Sequence, residues 1–194
     1  MVMAFDLPDD TSDEDLLARF AAGEAAAARA LTLRLTPVAL RVAQRMLGDA
    51  AEAEDVAQEA MLRLWRIAPD WRPGVARVST WLYRVTVNLC TDRLRRRRGV
   101  ALEAAGEVVD GTPAAVSTLI EADRAAALEA ALMSLPERQR QAVVLRHIEG
   151  LSNPEIADIL GIGVEAVESL TARGKRALAA LLAGRREELG YGDD

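Results

Sequence analysis

The sequence of 194 residues has only one cysteine, Cys90, and one histidine, His147. A single cysteine cannot form a disulfide within the chain, and no Cys/His pairs with metal-ligand spacing occur. Both residues lie in helical patterns, where a packed cysteine or a capped histidine is the commoner role. We find no nucleophile, base or metal constellation. We therefore expect no catalytic residues, no metal and no cofactor, and we expect that the protein is not an enzyme.

Long apolar runs are also missing. No stretch approaches the roughly 20 apolar residues that span a bilayer, and the first ten residues lack the basic and apolar parts of a signal peptide. We therefore expect a cytoplasmic protein without a membrane partner. Aromatic residues make up only 4% of the chain, whereas Ala, Leu, Arg and Glu dominate. Because straight-chain residues lose little rotamer freedom in helices, this composition predicts an all-α fold.

Charge is unevenly distributed along the chain, whose net charge is −6. Residues 61–98 contain 10 arginines against Asp70 and Asp92, whereas residues 1–60 contain 5 basic and 12 acidic residues. Proteins that bind duplex DNA on their own are usually basic, because phosphate neutralisation supplies most of their nonspecific affinity. We therefore expect this chain to bind DNA weakly without a partner.

Residues 99–118 lose helical periodicity and are enriched in Ala, Gly and acids. The sequence Gly111-Thr112-Pro113 within them favours a loop. A flexible coil of this length averages roughly 25 Å from end to end, enough to separate two domains while tethering them. We predict two small helical domains, residues 1–98 and residues 121–194, joined by a flexible acidic linker over residues 99–120.

Capping residues and prolines mark the helices of the first domain. Ser12 precedes three acids and predicts a helix start. A second helical stretch runs from about residue 24 to residue 47, within which Thr36-Pro37 indicates either a fresh start or a kink. A third covers residues 52–67. Ser79 is expected to cap a fourth helix that runs to about Arg97.

Residues 153–172 have the pattern of a helix-turn-helix. Ser152 and Glu155 have capping-box spacing, Gly161 supplies a turn, and a longer helix follows from Val164. An ordinary helical hairpin is the alternative, but the small and apolar residues have the offsets that two tightly packed helices require. The shared core would contain Ile156, Leu160, Ile162, Val167 and Leu170. The second helix would enter the major groove and expose Glu165, Glu168, Ser169, Ala172 and Arg173.

Two further patterns have both a functional and a structural interpretation. The basic run from Arg93 to Arg98 follows Trp81 and Tyr83, and cations with aromatic faces suit single-stranded DNA. Arginines at a helix C-terminus also favour the helix dipole, and tryptophan at core spacing is usually packing. The acidic stretch of residues 54–59 could equally be a solvated helix face. Charge alone does not decide between these interpretations.

The order of the motifs resembles that of bacterial RNA polymerase sigma factors of the extracytoplasmic-function class. The strings Ala53-Glu54-Asp55-Val56-Ala57-Gln58-Glu59 and Leu62-Arg63-Leu64-Trp65-Arg66 resemble the polymerase-clamp-binding helix of that family. Thr80-Trp81-Leu82-Tyr83-Arg84-Val85, followed by Asn88 and Asp92-Arg93-Leu94-Arg95, resembles its minus-10 recognition helix. Leu135-Pro136-Glu137-Arg138-Gln139-Arg140 and Glu149-Gly150-Leu151-Ser152 resemble its minus-35 domain. The resemblance covers roughly residues 12–98 and 121–182.

The resemblance implies partners and roles for matching residues. The partners would be the RNA polymerase core, promoter DNA and an anti-sigma factor. The polymerase contacts would be made by the clamp of the largest subunit and the flap of the second largest. Clamp binding is implied for Asp55, Gln58, Glu59, Arg63 and Trp65. The first three would contact the clamp, and Arg63 and Trp65 would support their helix. Contact with the minus-10 strand is implied for Arg84, Asn88, Thr91 and Arg95, with the loop from Trp71 to Val78 cradling an extruded base. Contact with the minus-35 element is implied for Arg146, Glu168, Ser169, Ala172 and Arg173.

Three positions depart from the family pattern. Glu168 stands where a basic residue is common, Ala172 where a larger residue is common, and Val78 where an aromatic is common. Glutamate cannot favourably contact phosphate or guanine, but it can accept a hydrogen bond from cytosine N4. We therefore expect an unusual minus-35 preference. A stand-alone helix-turn-helix repressor that binds as a homodimer is the rival interpretation, against which the overall acidity argues.

Overall fold

The computed structural model describes residues 11–72, Gly74, 76–103 and 119–183, without the side chains of residues 100–103 and 119–124. Over these residues the chain forms α-helices and no strand, so the predicted all-α fold is confirmed. The eight α-helices described are α1 Asp13–Ala21, α2 Ala25–Leu47, α3 Ala50–Ile67, α4 Val78–Glu103, α5 Leu119–Met133, α6 Glu137–Val143, α7 Asn153–Leu160 and α8 Val164–Ala183.

Contacts divide the chain into two compact units. The first comprises Met1–Gln44 and Asp49–Cys90, and the second comprises Arg45–Gly48 and Thr91–Asp194. The division therefore falls inside α4, and not at the predicted linker. The prediction that α4 ends near Arg97 was wrong, because the helix reaches Glu103 and includes the first residues of that linker. The central part of the predicted linker, residues 104–118, lies outside the described residues.

Helices α1 and α3 of the first unit each begin at a local side-chain cap. The Ser12 side chain accepts a hydrogen bond from the Asp15 N–H, and the Asp49 carboxylate accepts one from the Glu52 N–H at 3.0 Å. Helix α2 runs continuously through Pro37, so no new helix starts at this proline. The helices enclose one core, to which α1, α2, α3 and the first turns of α4 all contribute leucine, alanine, methionine and valine side chains.

The start of α4 is fixed by a residue distant in sequence. The prediction that Ser79 caps this helix was wrong, because α4 already begins at Val78. The Val78 N–H donates a 2.8 Å hydrogen bond to Glu14 Oε1 of α1. Val78 itself is fully buried in the core. A carboxylate at the helix N-terminus satisfies one of its four unpaired N–H groups and favours the helix dipole.

In the second unit α5, α6 and α7 pack against α8. Helix α6 continues as a π-helical turn, Val144–Ile148, and the Glu149 N–H donates to the Val144 carbonyl. The helix-turn-helix begins with a complete capping box between Ser152 and Glu155 and turns at Gly161, which has a left-handed φ of 64°. Of its predicted core residues, Ile156, Leu160 and Val167 are buried, whereas Ile162 and Leu170 are half-buried.

Two absences concern only the residues that the structure describes. None of their helices is both long and apolar enough to cross a membrane. The same residues contain no group of three or more His, Cys, Asp or Glu side chains that could hold a metal ion. Cys90 is buried in α4, as its helical pattern predicted.

Candidate functional site

A groove of about 480 Å³ lies on the first unit between α2 and α3. Its floor is mostly apolar, and acidic or amide side chains stand on the α3 side. The Thr36 hydroxyl is buried and has no hydrogen-bond partner among the described residues. The groove is lined by Thr32, Thr36, Leu40, Glu54, Asp55, Ala57, Gln58, Met61, Leu62 and Trp65. Leu62, one of these lining residues, is 44% exposed.

Three of the five predicted clamp-binding residues line this groove, and the other two do not. Asp55, Gln58 and Trp65 belong to its lining. Glu59 and Arg63 instead form an ion pair with each other at 2.8 Å, one turn apart on α3. Trp65 is half-buried and packs against Phe20 of α1, with ring centroids 4.5 Å apart. Trp65 therefore joins the core to the groove and is not a free aromatic platform.

Helix α4 carries the predicted minus-10 residues on one stripe. Arg84, Asn88 and Arg95 are exposed, as is expected for side chains that contact a partner. The Arg95 side chain is 78% exposed and lies 3.0 Å from the Asp92 carboxylate. Trp81, Val85 and Leu89 of the same helix are half-buried and pack against the core.

Thr91 differs from the other three residues of this stripe. It is half-buried, and its hydroxyl oxygen accepts a 2.9 Å hydrogen bond from the Gln141 side chain of the same compact unit. Gln141 is only 1% exposed. The Arg98 guanidinium similarly pairs with the Glu137 carboxylate. The Thr91 hydroxyl is thus already engaged as an acceptor within the protein.

The aromatic residues around the predicted base-cradling loop pack on one another. Trp71 and Trp81 form an edge-to-face pair with centroids 6.2 Å apart, and Tyr83 is buried. Val78, which replaces the family's common aromatic, is inside the core and offers no stacking surface. Pro73 and Val75 of this loop lie outside the described residues.

Arg146 and Arg173 of the predicted minus-35 set bond to the protein itself. Arg146 is exposed, and its Nη1 donates a 2.8 Å hydrogen bond to the Leu151 carbonyl, just before α7. Arg173 donates to both the carbonyl and the hydroxyl of Ser169, one turn earlier on α8. Arg146 thus holds the segment that leads into the helix-turn-helix.

Glu168, Ser169 and Ala172 are exposed along α8. The Glu168 carboxylate Oε1 accepts a 3.3 Å hydrogen bond from Asn153 Nδ2, at the start of α7. Asn153 was not predicted as a functional residue. No local signal points to it, because its partner lies fifteen residues away on the next helix.

His147 lies on the π-helical turn next to Arg146. Partial burial lowers the pKa of its imidazole, and the positive charges of Lys175 and Arg146 lower this pKa further. The neutral imidazole is therefore favoured over the imidazolium.

Comparisons with known proteins match both halves of the chain. Residues 31–100 match the family model of Sigma-70 region 2, and residues 125–178 match that of Sigma-70 region 4. The chain is 39% identical over 176 residues to the ECF RNA polymerase sigma factor SigM of Mycobacterium tuberculosis. That match covers 89% of this chain and 86% of SigM.

A second relative is longer than this chain. The ECF RNA polymerase sigma factor SigE of Mycolicibacterium smegmatis is 39% identical over 152 residues, and the match covers 76% of this chain but 58% of SigE. Among solved structures, CnrH in complex with the cytosolic domain of CnrY has a TM-score of 0.66 and 31% identity. That match covers 90% of this chain and 99% of the CnrH chain, and a CnrH is known from Cupriavidus metallidurans.

Proposed function

The chain belongs to the extracytoplasmic-function class of RNA polymerase sigma factors, and on this premise we propose that it directs core polymerase to specific promoters as a non-enzymatic subunit. The observation that carries the proposal is the presence of region 2 and region 4 in one chain and in family order. A stand-alone helix-turn-helix regulator would need only the second of them.

We assign polymerase binding to the groove between α2 and α3. A helix of the polymerase clamp would lie over its apolar floor. Leu62 is exposed there, and the buried hydroxyl of Thr36 has no hydrogen-bond partner among the described residues. Asp55 and Gln58 would supply polar contacts at the rim. The Glu59–Arg63 ion pair would stiffen α3 and is worth only a few tenths of a kcal/mol by itself.

We assign minus-10 recognition to the exposed stripe of α4. Arg84 and Arg95 would neutralise phosphates of one strand, and Asn88 between them can both donate and accept hydrogen bonds. Extruding a base from the duplex costs a few kcal/mol, so the chain would trap a strand that polymerase helps to open. The acidic charge of the whole chain favours this dependence on polymerase.

We assign minus-35 recognition to α8, with Glu168, Ser169 and Ala172 facing the major groove and Arg173 at the end of that surface. Arg146, which bonds to the Leu151 carbonyl, would act by holding the start of the helix-turn-helix. The two functional domains in this proposal are residues 1–98 and 121–194. Their boundary as DNA-binding modules need not coincide with the packing boundary inside α4.

Regulation by a protein that covers the polymerase-binding surface is the remaining part of the proposal. The similar CnrH structure contains the cytosolic domain of a second protein, CnrY. We propose that an anti-sigma factor occupies the groove between α2 and α3 and thereby competes with the clamp.

The polymerase assignment is tested by measuring the binding of core polymerase to the double variant D55A/Q58A. The variant should bind at least tenfold more weakly, because both polar rim contacts are lost. D15A is the matched control, since it removes an exposed carboxylate of α1 outside the groove lining. Equal loss of binding in D15A, or unchanged binding in D55A/Q58A, would refute the groove as the clamp site.

A further inference from the structure

Glu168 of the recognition helix α8 is hydrogen-bonded by a residue of the preceding helix, α7. From the hydrogen bond between Asn153 Nδ2 and Glu168 Oε1, we propose that Asn153 is a positioning residue for minus-35 readout. Asn153 orients the Glu168 carboxylate so that its second oxygen, Oε2, accepts a hydrogen bond from the N4 amino group of a cytosine. This inference rests on the proposed function and names the base class that α8 selects.

The position of Asn153 is itself well determined. Asn153 is the first residue of α7 and follows the N-cap Ser152. The Ser152 N–H and hydroxyl both donate to the Glu155 carboxylate, at 2.9 and 2.6 Å. One residue earlier, the Leu151 carbonyl accepts from Arg146. The backbone that leads into Asn153 is therefore held by bonds at both Leu151 and Ser152.

The chemistry of the pair determines which base is accepted. An ionised carboxylate has only acceptor oxygens, whereas an asparagine amide nitrogen has only donors. With Oε1 engaged by Asn153, Glu168 offers DNA one oriented acceptor. In the major groove cytosine presents an N4 donor, whereas guanine presents acceptors at N7 and O6. Glu168 therefore rejects guanine and favours cytosine, since adenine, the other base with a major-groove donor, presents its N7 acceptor beside the N6 amino group.

A bond between exposed side chains contributes little to folding stability, so its value is in orientation. An unrestrained glutamate has three rotatable bonds and samples many directions. Restraining it reduces the entropy that is lost when the base contact forms. One accepted hydrogen bond is worth less than a bidentate base contact, so we expect the cytosine preference to be roughly fivefold.

The pair can be reversed by exchanging the acid and the amide. In E168Q, Asn153 still donates to the Gln carbonyl, which leaves the Gln amino group facing DNA. That variant should prefer a base with an acceptor, guanine or thymine. In N153D/E168Q the Gln amino group donates to the new carboxylate and the Gln carbonyl faces DNA. Cytosine preference should return, although the residue at position 168 is no longer acidic.

The experiment uses the chain bound to core polymerase, with a promoter library that has a fixed minus-10 element and a randomised minus-35 element. Transcripts are sequenced for the wild type, N153D, E168Q and the double variant. N153D alone should weaken the cytosine preference roughly fivefold, because two like charges now face each other. D158N is the control, since it removes one negative charge from an exposed position of α7 that is not assigned to DNA contact. It should not exchange the preferred base at the position read by Glu168.

Core-polymerase binding is measured for every variant, so that misfolding is separated from lost readout. An acidic residue at the first position of α7 is compatible with the helix dipole, so N153D should fold. The inference is overturned if N153D keeps the full cytosine preference, or if N153D/E168Q selects the same base as E168Q. No transcript from any promoter with the wild type would instead overturn the proposed function on which the inference rests.

Discussion

Gly174→Ala should force α6 and α8 apart and destabilise the second compact unit. Gly174 is buried in the middle of α8, where an added Cβ would lie 2.5 Å from Val143 Cγ2 and 3.2 Å from the Gln139 carbonyl oxygen. Val143 is itself buried and β-branched, so its side chain has few other rotamers. The Gln139 oxygen is backbone, so relief requires a shift of α6 itself.

Two opposing terms set the size of the effect. An extra methyl in a packed core costs about 1–3 kcal/mol, whereas replacing glycine by alanine inside a helix gains about 1 kcal/mol. Because the added Cβ meets a β-branched side chain and a backbone oxygen, we expect the upper end of that cost, and Gly174→Ala should lower the free energy of unfolding by up to about 2 kcal/mol. Gly99→Ala is the matched control. Gly99 is exposed within α4 and has no atom within 4 Å of the added Cβ, so only the gain of up to about 1 kcal/mol applies there.

Urea unfolding followed by circular dichroism gives the change in stability, and hydrogen exchange of peptides from α6 and α8 localises it. The local measurement is needed because two compact units need not unfold in one step. The two glycine variants should change stability with opposite signs. A Gly174→Ala variant as stable as wild type, or stabilised like Gly99→Ala, would refute the close packing of α6 on α8.

Two further predictions concern a long-range cap and the lone histidine. Glu14→Ala should cost about 1–2 kcal/mol of stability, because the partly buried Val78 N–H loses its acceptor. Asp15→Ala should cost less. Equal losses of stability in urea unfolding would contradict this cap. His147 should titrate by NMR below its ordinary pKa of about 6.5, because of partial burial and the charge of Lys175. Because the pKa of His147 is lower in the folded than in the unfolded state, the free energy of unfolding should fall as the pH drops through the unfolded-state pKa. His147→Gln should remove that fall. A measured folded-state pKa above 6.5 would contradict this environment.

Features encoded within a few residues could be predicted from the sequence. Ser12 and Ser152 each cap a helix as expected, because an N-cap side chain bonds to an N–H only two or three positions ahead. The left-handed turn at Gly161 is local in the same way. These signals, with helical periodicity, were sufficient for the all-α fold and the helix-turn-helix.

Features that depend on packing between distant residues could not be predicted. The start of α4 was misplaced because the acceptor for Val78, Glu14, lies 64 positions earlier. The end of α4 was placed too early because Gly99 after the arginine run is a typical stop signal, whereas the helix continues through it to Glu103. The role of Asn153 also depends on a partner on another helix.

The sequence grouped candidate contacts by helix face, but it could not determine how each side chain is already engaged. Asp55 and Gln58 line a groove, whereas Glu59 pairs with Arg63 on the same helix. Thr91 shares a stripe with exposed arginines, yet it bonds to Gln141. Such pairings decide which residues meet a partner directly and which act by positioning others.

The central claim is most directly tested by run-off transcription with purified core polymerase on a library of promoters, in parallel with DNA binding by the chain alone. The account predicts specific transcripts that appear only when the chain is added to core polymerase, and weak DNA binding without it. Tight, sequence-specific DNA binding by the chain alone, together with no transcript from any promoter, would contradict the account and favour a stand-alone repressor.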